Sequence, residues 1–219
     1  MTPIAFSRMT NLLTRLILGV AAATTLSGCF PVIMGGAVMG TLMATDRRTS
    51  GAQVEDEGIE LRAASRVREN LGDRVHVNIT SYNRRVLITG EVPNVRDKQL
   101  VEQVVSRVEN VVSVVNELAE LGNATLTQRS SDVLVTGRVK AGLVDAKDLV
   151  SNAFKVVTER GTIYLMGRVT QREADRATEI ARSTSGVQKV VRVFETLSED
   201  ELRNMLPQPA PEPKAATVK

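Results

Sequence analysis

The sequence predicts an α+β protein built from two tandem αββαβ units, each with two helices packed on one face of a three-stranded mixed sheet. Three observations carry this. Apolar residues recur at helical spacing ahead of each of two pairs of strand-like stretches. A second helical pattern and a β-branched run follow each pair. The whole order then occurs twice: Val86-Leu87-Ile88-Thr89-Gly90-Glu91-Val92 matches Ile163-Tyr164-Leu165-Met166-Gly167-Arg168-Val169, and Asn110-Val111 matches Gly186-Val187, one residue out of step. An internal match of this kind is a duplication, and two copies make two domains rather than a solenoid.

In the first unit, residues 54–122, Leu61, Ala64, Val67 and Leu71 mark a helix, with Asp56 as its expected N-cap and Gly72 as its stop. Val75, Val77 and Ile79 then alternate with His76, Asn78 and Thr80, which is strand period. Tyr82-Asn83-Arg84 is a turn, and Val86 to Thr89 is the returning strand. Asn94 and Asp97 have the spacing of a helix cap, ahead of a stripe of Leu100, Val101, Val104, Val105 and Val108. Val111 to Val115 is the third strand. A short polar linker, 119–129, leads to the second unit, residues 129–197. There Asp132 is the expected cap of a helix carrying Val135, Val139 and Leu143 on one face. Strands at 154–157 and 163–166 flank a Glu159-Arg160-Gly161 turn. Thr170 and Glu173 form a capping box before Ala174, Ala177, Ile180 and Ala181, and Val187 to Phe194 closes the unit.

Two helices cover only one face of each small sheet, so the other face is expected to pack on the sister unit or on a partner. Gly90 and Gly167 stand at matched strand positions and are read as close-packing devices between helix and sheet. After Met205, prolines at 207, 209, 211 and 213 make residues 206–219 a disordered tail.

The N-terminus has a different character. Arg8 and Arg15 precede an apolar run from Leu16 to Leu26, interrupted by Gly19, Thr24 and Thr25, and Ser27-Gly28-Cys29 follows. A basic start, a short apolar core and small residues before a cut site make a secretory signal over 1–28, starting at Met1 or Met9. Leu26-Ser27-Gly28-Cys29 resembles the lipobox of bacterial lipoproteins, which implies that Cys29 is acylated and becomes the new N-terminus. Cys29 is the single cysteine, so no disulfide competes for it. Residues 29–53 are then a lipidated linker. No apolar stretch reaches the roughly 18 residues of a membrane span, so the expected attachment is an anchor.

The chain's 28 basic and 25 acidic residues give +3, but the signal removes two Arg and leaves the mature chain at +1. With aromatics at 3% and no Trp, neither a basic footprint nor a stacking platform is present, which argues against nucleic acid as a partner. Catalysis is not expected. His76 is the single histidine and lies on the strand face opposite Val75, Val77 and Ile79, without a nucleophile in its motif. No phosphate loop, metal-ligand spacing or cofactor fingerprint occurs, so no metal and no cofactor are expected.

The αββαβ order, the strand glycine and the closing Gly186-Val187-Gln188-Lys189-Val190 resemble the BON domain. Two such units behind a lipobox and an Ala44-Thr45-Asp46-Arg47 lead are similar to the dual-BON outer-membrane lipoproteins of Gram-negative bacteria. The resemblance implies an outer-membrane protein facing the periplasm, acylated (palmitate among the lipids), that supports envelope integrity. Phe30 after the cysteine is similar to lipoproteins exported to the outer membrane. It also implies that the second unit binds anionic phospholipid through its first helix, where some relatives carry Trp at the position of Leu134. The candidate contacts are Leu134, Arg138, Val139 and Lys140. Gly137 and Gly142 weaken that helix by about 1 kcal/mol each relative to Ala. The competing reading is an adaptor that docks on outer-membrane assembly or cell-wall proteins through the bare sheet faces.

Overall fold

A computed structural model describes residues 46–122 and 125–205. The signal segment, Cys29, the linker up to Thr45 and the proline-rich stretch 206–219 lie outside the described residues. The first unit runs α1 (Ser50–Leu71), β1 (His76–Tyr82), β2 (Arg85–Val92), α2 (Val95–Ser106), β3 (Ser113–Asn116) and β4 (Ala119–Glu120). The second runs α3 (Leu126–Asp145), β5 (Phe154–Glu159), β6 (Thr162–Thr170), α4 (Gln171–Ser183) and β7 (Lys189–Leu197), followed by the short α5 (Glu199–Met205).

Each sheet is mixed. The second strand is central: β2 pairs antiparallel with β1 and parallel with β3, and β6 does the same with β5 and β7. The parallel partner follows a helix in both units, because a parallel return needs a crossover. β4 is a detail the sequence hid. Leu118 turns inward to 2% exposure and interrupts the strand, after which Ala119 and Glu120 resume parallel pairing with β2. The polar stretch read as a linker thus supplies a strand, and α3 begins within it at Leu126.

The two first helices start earlier than expected, and for one reason. Thr49 caps α1 and Thr125 caps α3, the latter in a capping box with Gln128. Asp56 and Asp132, read as caps, lie inside their helices and are buried. Each points instead at the tip of its own hairpin. Asp56 accepts from Asn83 N–H, from Arg84 N–H and from the Ser81 hydroxyl, at 2.7, 2.7 and 2.6 Å. Asp132 accepts from Arg160 N–H and Gly161 N–H, both at 2.8 Å. Both tips have two successive residues at positive φ, Asn83 and Arg84 at 51° and 66°, Arg160 and Gly161 at 49° and 72°. That backbone is the twist-compatible two-residue turn, and it leaves its N–H groups free for a carboxylate.

The α1 core stripe is Ile59, Ala63, Val67 and Leu71, whereas Leu61 and Ala64 face solvent. The carboxylate sets this phase by turning Asp56 toward the hairpin. In α3 the stripe is Val135, Val139 and Leu143, as the sequence indicates. The remaining caps also agree with it: Asn94 accepts from Asp97 N–H, and Thr170 and Glu173 bond reciprocally.

Two cores lie under the helices, and a third joins the units. It contains Tyr82 and Leu87 from the first sheet and Tyr164, Met166 and Val193 from the second, each at most 5% exposed. The bare faces therefore pack on each other. Polar pairs rim this contact: Lys155 Nζ donates to Glu60 at 2.9 Å, and Arg160 Nε donates to Glu91 at 2.8 Å. Gly90 and Gly167 are close-approach positions, but the approaching group differs from the one expected. A Cβ at Gly90 would strike the His76 carbonyl at the start of β1, and one at Gly167 the Ala153 carbonyl just ahead of β5, so the crowding comes from the backbone at the neighbouring strand's start and not from a packed helix. Gly90 also sits at φ 114°, which favours glycine.

Burial alone would raise the Asp56 carboxyl, but Ser81, the Arg84 N–H, the Arg48 guanidinium and the Asn83 N–H outweigh it and hold it below the ordinary value. A depressed carboxyl contributes stability above its unfolded pKa, near 3.9, and that contribution is lost as pH falls through the folded value. Asp56→Ala should lower stability at pH 7 by roughly 2–3 kcal/mol, since turn donors are left unpaired. The difference from the parent should shrink below about pH 4. Urea melts across pH 3–7 measure both.

Candidate lipid-binding site

α3 has two distinct faces. One is the core stripe. On the other side, Leu126, Ser130, Val133, Gly137, Ala141 and Val144 follow in steps of three and four, so they form a line along one side of the helix. All six are exposed. Leu126 is 81% exposed, Val133 71% and Val144 66%, and Leu134 on the shoulder of the line is 62% exposed. Leu126, Val133 and Val144 are thus large apolar residues spaced along the line, with the small Ser130, Gly137 and Ala141 between them. Arg138 flanks the line on the Leu134 side, and Arg129 and Lys140 flank it on the other.

The duplication supplies an internal control. Asp132, Val135, Val139 and Leu143 superpose in sequence on Asp56, Ile59, Ala63 and Val67, an offset of 76. At that offset the α1 line reads Ser50, Val54, Glu57, Leu61, Ser65 and Arg68. Glu57 and Arg68 put charges where α3 has Val133 and Val144. Both helices share a fold and a core phase; only the α3 line is free of charge.

Of the four candidate contacts, the structure brings three to the surface and removes one. Leu134, Arg138 and Lys140 are exposed, with Arg138 Nη1 donating to the Ser185 carbonyl at 3.2 Å. Val139 is 0% exposed inside the second core, so it supports the helix and cannot meet a lipid. Sequence reasoning missed Leu126, Val133 and Val144. Their signal was present as apolar residues between the core positions of one helix, but Leu126 fell in the supposed linker.

The two glycines of α3 differ in role. A Cβ at Gly142 would come within 2.9 Å of Ile180 Cγ2, so this glycine lets α3 and α4 approach. A Cβ at Gly137 would meet nothing within 4 Å. Beyond Lys140 and Val144 a cleft of about 330 Å³ opens between α3 and the start of β5, lined also by Asp46, Leu143, Asn152 and Phe154.

His76 is tied up at the contact between the units. Its Nδ1 lies 3.0 Å from one oxygen of the buried Glu91, whose other oxygen accepts from Arg160. Among the described residues no group of three His, Cys, Asp or Glu side chains could hold a metal, and no helix is long and apolar enough to cross a membrane.

The fold is an αββαβ pair docked sheet to sheet, with one helix exposing an uncharged line between cations. The BON domain model matches residues 59–121 and 131–197, and the chain belongs to the BON family. It is 35% identical over 187 residues to the outer membrane lipoprotein DolP of Haemophilus influenzae, covering 84% of this chain and 97% of that protein. It is 31% identical over 151 residues to the 21 kDa hemolysin of Actinobacillus pleuropneumoniae, covering 68% of this chain and 78% of that one. Among solved structures, CdsD, a structural protein of the Chlamydia trachomatis type III secretion system, matches with 14% identity and a TM-score of 0.26, over 72% of this chain and 99% of that one.

Because Gly137 has no packing neighbour, Gly137→Ala should stabilise the chain by up to about 1 kcal/mol through helix propensity. Gly142→Ala should instead gain nothing or destabilise, because the added methyl meets Ile180. Paired thermal melts of the two variants check this contrast.

Proposed function

We propose that this chain is an outer-membrane lipoprotein facing the periplasm, anchored through Cys29, whose second BON domain binds anionic phospholipid through the exposed line of α3. The observation that carries the lipid reading is the contrast between α3 and α1. A helix that keeps its core phase while replacing Glu and Arg on its outer line with Val suits a surface that accepts aliphatic side chains. The relative named an outer membrane lipoprotein and the Leu26-Ser27-Gly28-Cys29 motif support the location and the anchor.

Magnitudes order the contributions. Fully burying an aliphatic side chain gains roughly 1.5–3 kcal/mol, whereas a cation near an anionic surface gains about 1 kcal/mol. Leu126, Val133, Leu134 and Val144 therefore dominate, while Arg129, Arg138 and Lys140 set the preference for anionic headgroups. The role in this reading is non-catalytic support of the envelope. The adaptor reading has lost its original surface, because the open sheet faces are buried against each other. It would need another face of the molecule.

Co-sedimentation of the unacylated chain with anionic and zwitterionic vesicles tests the proposal. The parent should bind anionic vesicles preferentially. Val133→Glu and Leu134→Glu should abolish binding while circular dichroism stays unchanged, since neither side chain is in the core. Arg138→Ala with Lys140→Ala should weaken binding and flatten its salt dependence. The first-unit control, Arg66→Ala with Arg68→Ala, should bind as the parent does. Folded Val133→Glu and Leu134→Glu proteins that still bind would remove α3 as the site.

A further inference from the structure

The side chains just ahead of α1 bond to both units, though the helix needs none of them for its cap. The Arg47 side chain is 6% exposed. Its two terminal nitrogens donate to the two Glu173 oxygens, each at 2.7 Å, and Nη1 also reaches the Arg168 carbonyl at 2.9 Å. A bidentate, buried pair of this kind fixes geometry as well as charge. Arg48 turns the other way. It donates to Asp46 at 2.8 Å and to Asp56 at 2.9 Å, and its guanidinium stacks 4.2 Å from the centre of the Tyr82 ring. Adjacent residues thus grip both units, Arg47 the second and Arg48 the first.

This clasp determines where the upstream chain leaves the body. Asp46 lies in the wall of the same cleft as Lys140 and Val144, at the C-terminal end of the exposed α3 line. We infer that Asp46-Arg47-Arg48 is a positioning element for two-point membrane attachment: it releases the acylated tether beside α3, so that anchor and helix engage the same anionic lipid surface. The inference rests on the lipid reading of α3 given above.

The lengths agree. Residues 29–45 span at most about 60 Å when extended, and the 20 residues of α3 extend about 30 Å. With its exit beside Val144, the tether lets the whole α3 line lie on the surface that holds the anchor. A short tether also keeps the second contact at a high effective concentration, so a weak helix contact suffices.

The test uses the full acylated chain in vesicles containing anionic phospholipid and nitroxide-labelled lipid. A fluorophore is placed on Ser130→Cys, in the α3 line, or on Leu61→Cys, its α1 counterpart; Cys29 is already acylated and does not compete. Quenching at 130 should exceed that at 61 several-fold. Arg47→Ala should keep the protein on the vesicles through its acyl group, but reduce quenching at 130 several-fold. Circular dichroism confirms that this variant is folded. Should it melt below the assay temperature, Arg47→Lys carries the test in its place: it keeps the charge but loses the bidentate pair with Glu173, and quenching at 130 should again fall. Equal quenching at 130 in the parent and in the folded variant overturns the clasp inference and leaves α3 as a lipid site. Absence of quenching at 130 in the parent removes the lipid reading itself, and the inference with it.

Discussion

A buried carboxylate in the first helix of each unit, bonded to the tip of the hairpin that follows, fixes how that helix is turned. Asp132 holds the tip at Arg160 and Gly161, and with Asp132 facing inward, Val135, Val139 and Leu143 must lie against the sheet. The opposite side of α3 is then committed to face away from the core. A helix free to roll by one residue would hide Val133 and expose core positions. The same bond in the first unit turns Asp56 inward, where Arg48 also finds it, so the clasp ahead of α1 is anchored on the helix-setting group.

Duplication explains how a helix with an uncharged, exposed outer line can coexist with a stable body. Two sheets, each covered on one face by its own helices, bury their remaining faces against each other through Tyr82, Leu87, Tyr164, Met166 and Val193. That contact uses the surface each small unit could not otherwise cover, which matters for domains of this size. The outer helices are released from packing duties on their far sides, and the two copies have diverged there. Glu57 and Arg68 put charges into the α1 line, beside the exposed Val54 and Leu61. Val133 and Val144 at the matching positions leave the α3 line uncharged.

The sequence showed the architecture through signals that depend on neighbouring residues alone. Strand alternation, the Thr170 and Glu173 capping box, the Gly72 stop and the repeated strand glycine all act locally, and all correspond to observed features. Errors arose where a residue type has two uses. An Asp near a helix start is a cap in most contexts, yet Asp56 and Asp132 bond to turns more than twenty residues away, and reading them as caps hid the helix starts at Ser50 and Leu126. The helical spacing read in α1 mixed Leu61 and Ala64, which face solvent, with Val67 and Leu71, which are buried. Arg47 and Glu173 are 126 residues apart, and no periodicity reports such a pair. Val139 entered the candidate site through its neighbours in sequence, although a helix places it on the opposite side from the exposed line.

The most direct test is a residue-by-residue map of what touches lipid. Amide signals of the unacylated chain are recorded by NMR in anionic bicelles, with and without nitroxide-labelled lipid. The expected result is broadening concentrated along residues 126–144, strongest at Leu126, Val133, Leu134 and Val144, with residues 50–71 unaffected. Broadening centred on α1, or spread evenly over both units, would contradict the assignment of α3 as the lipid-binding face.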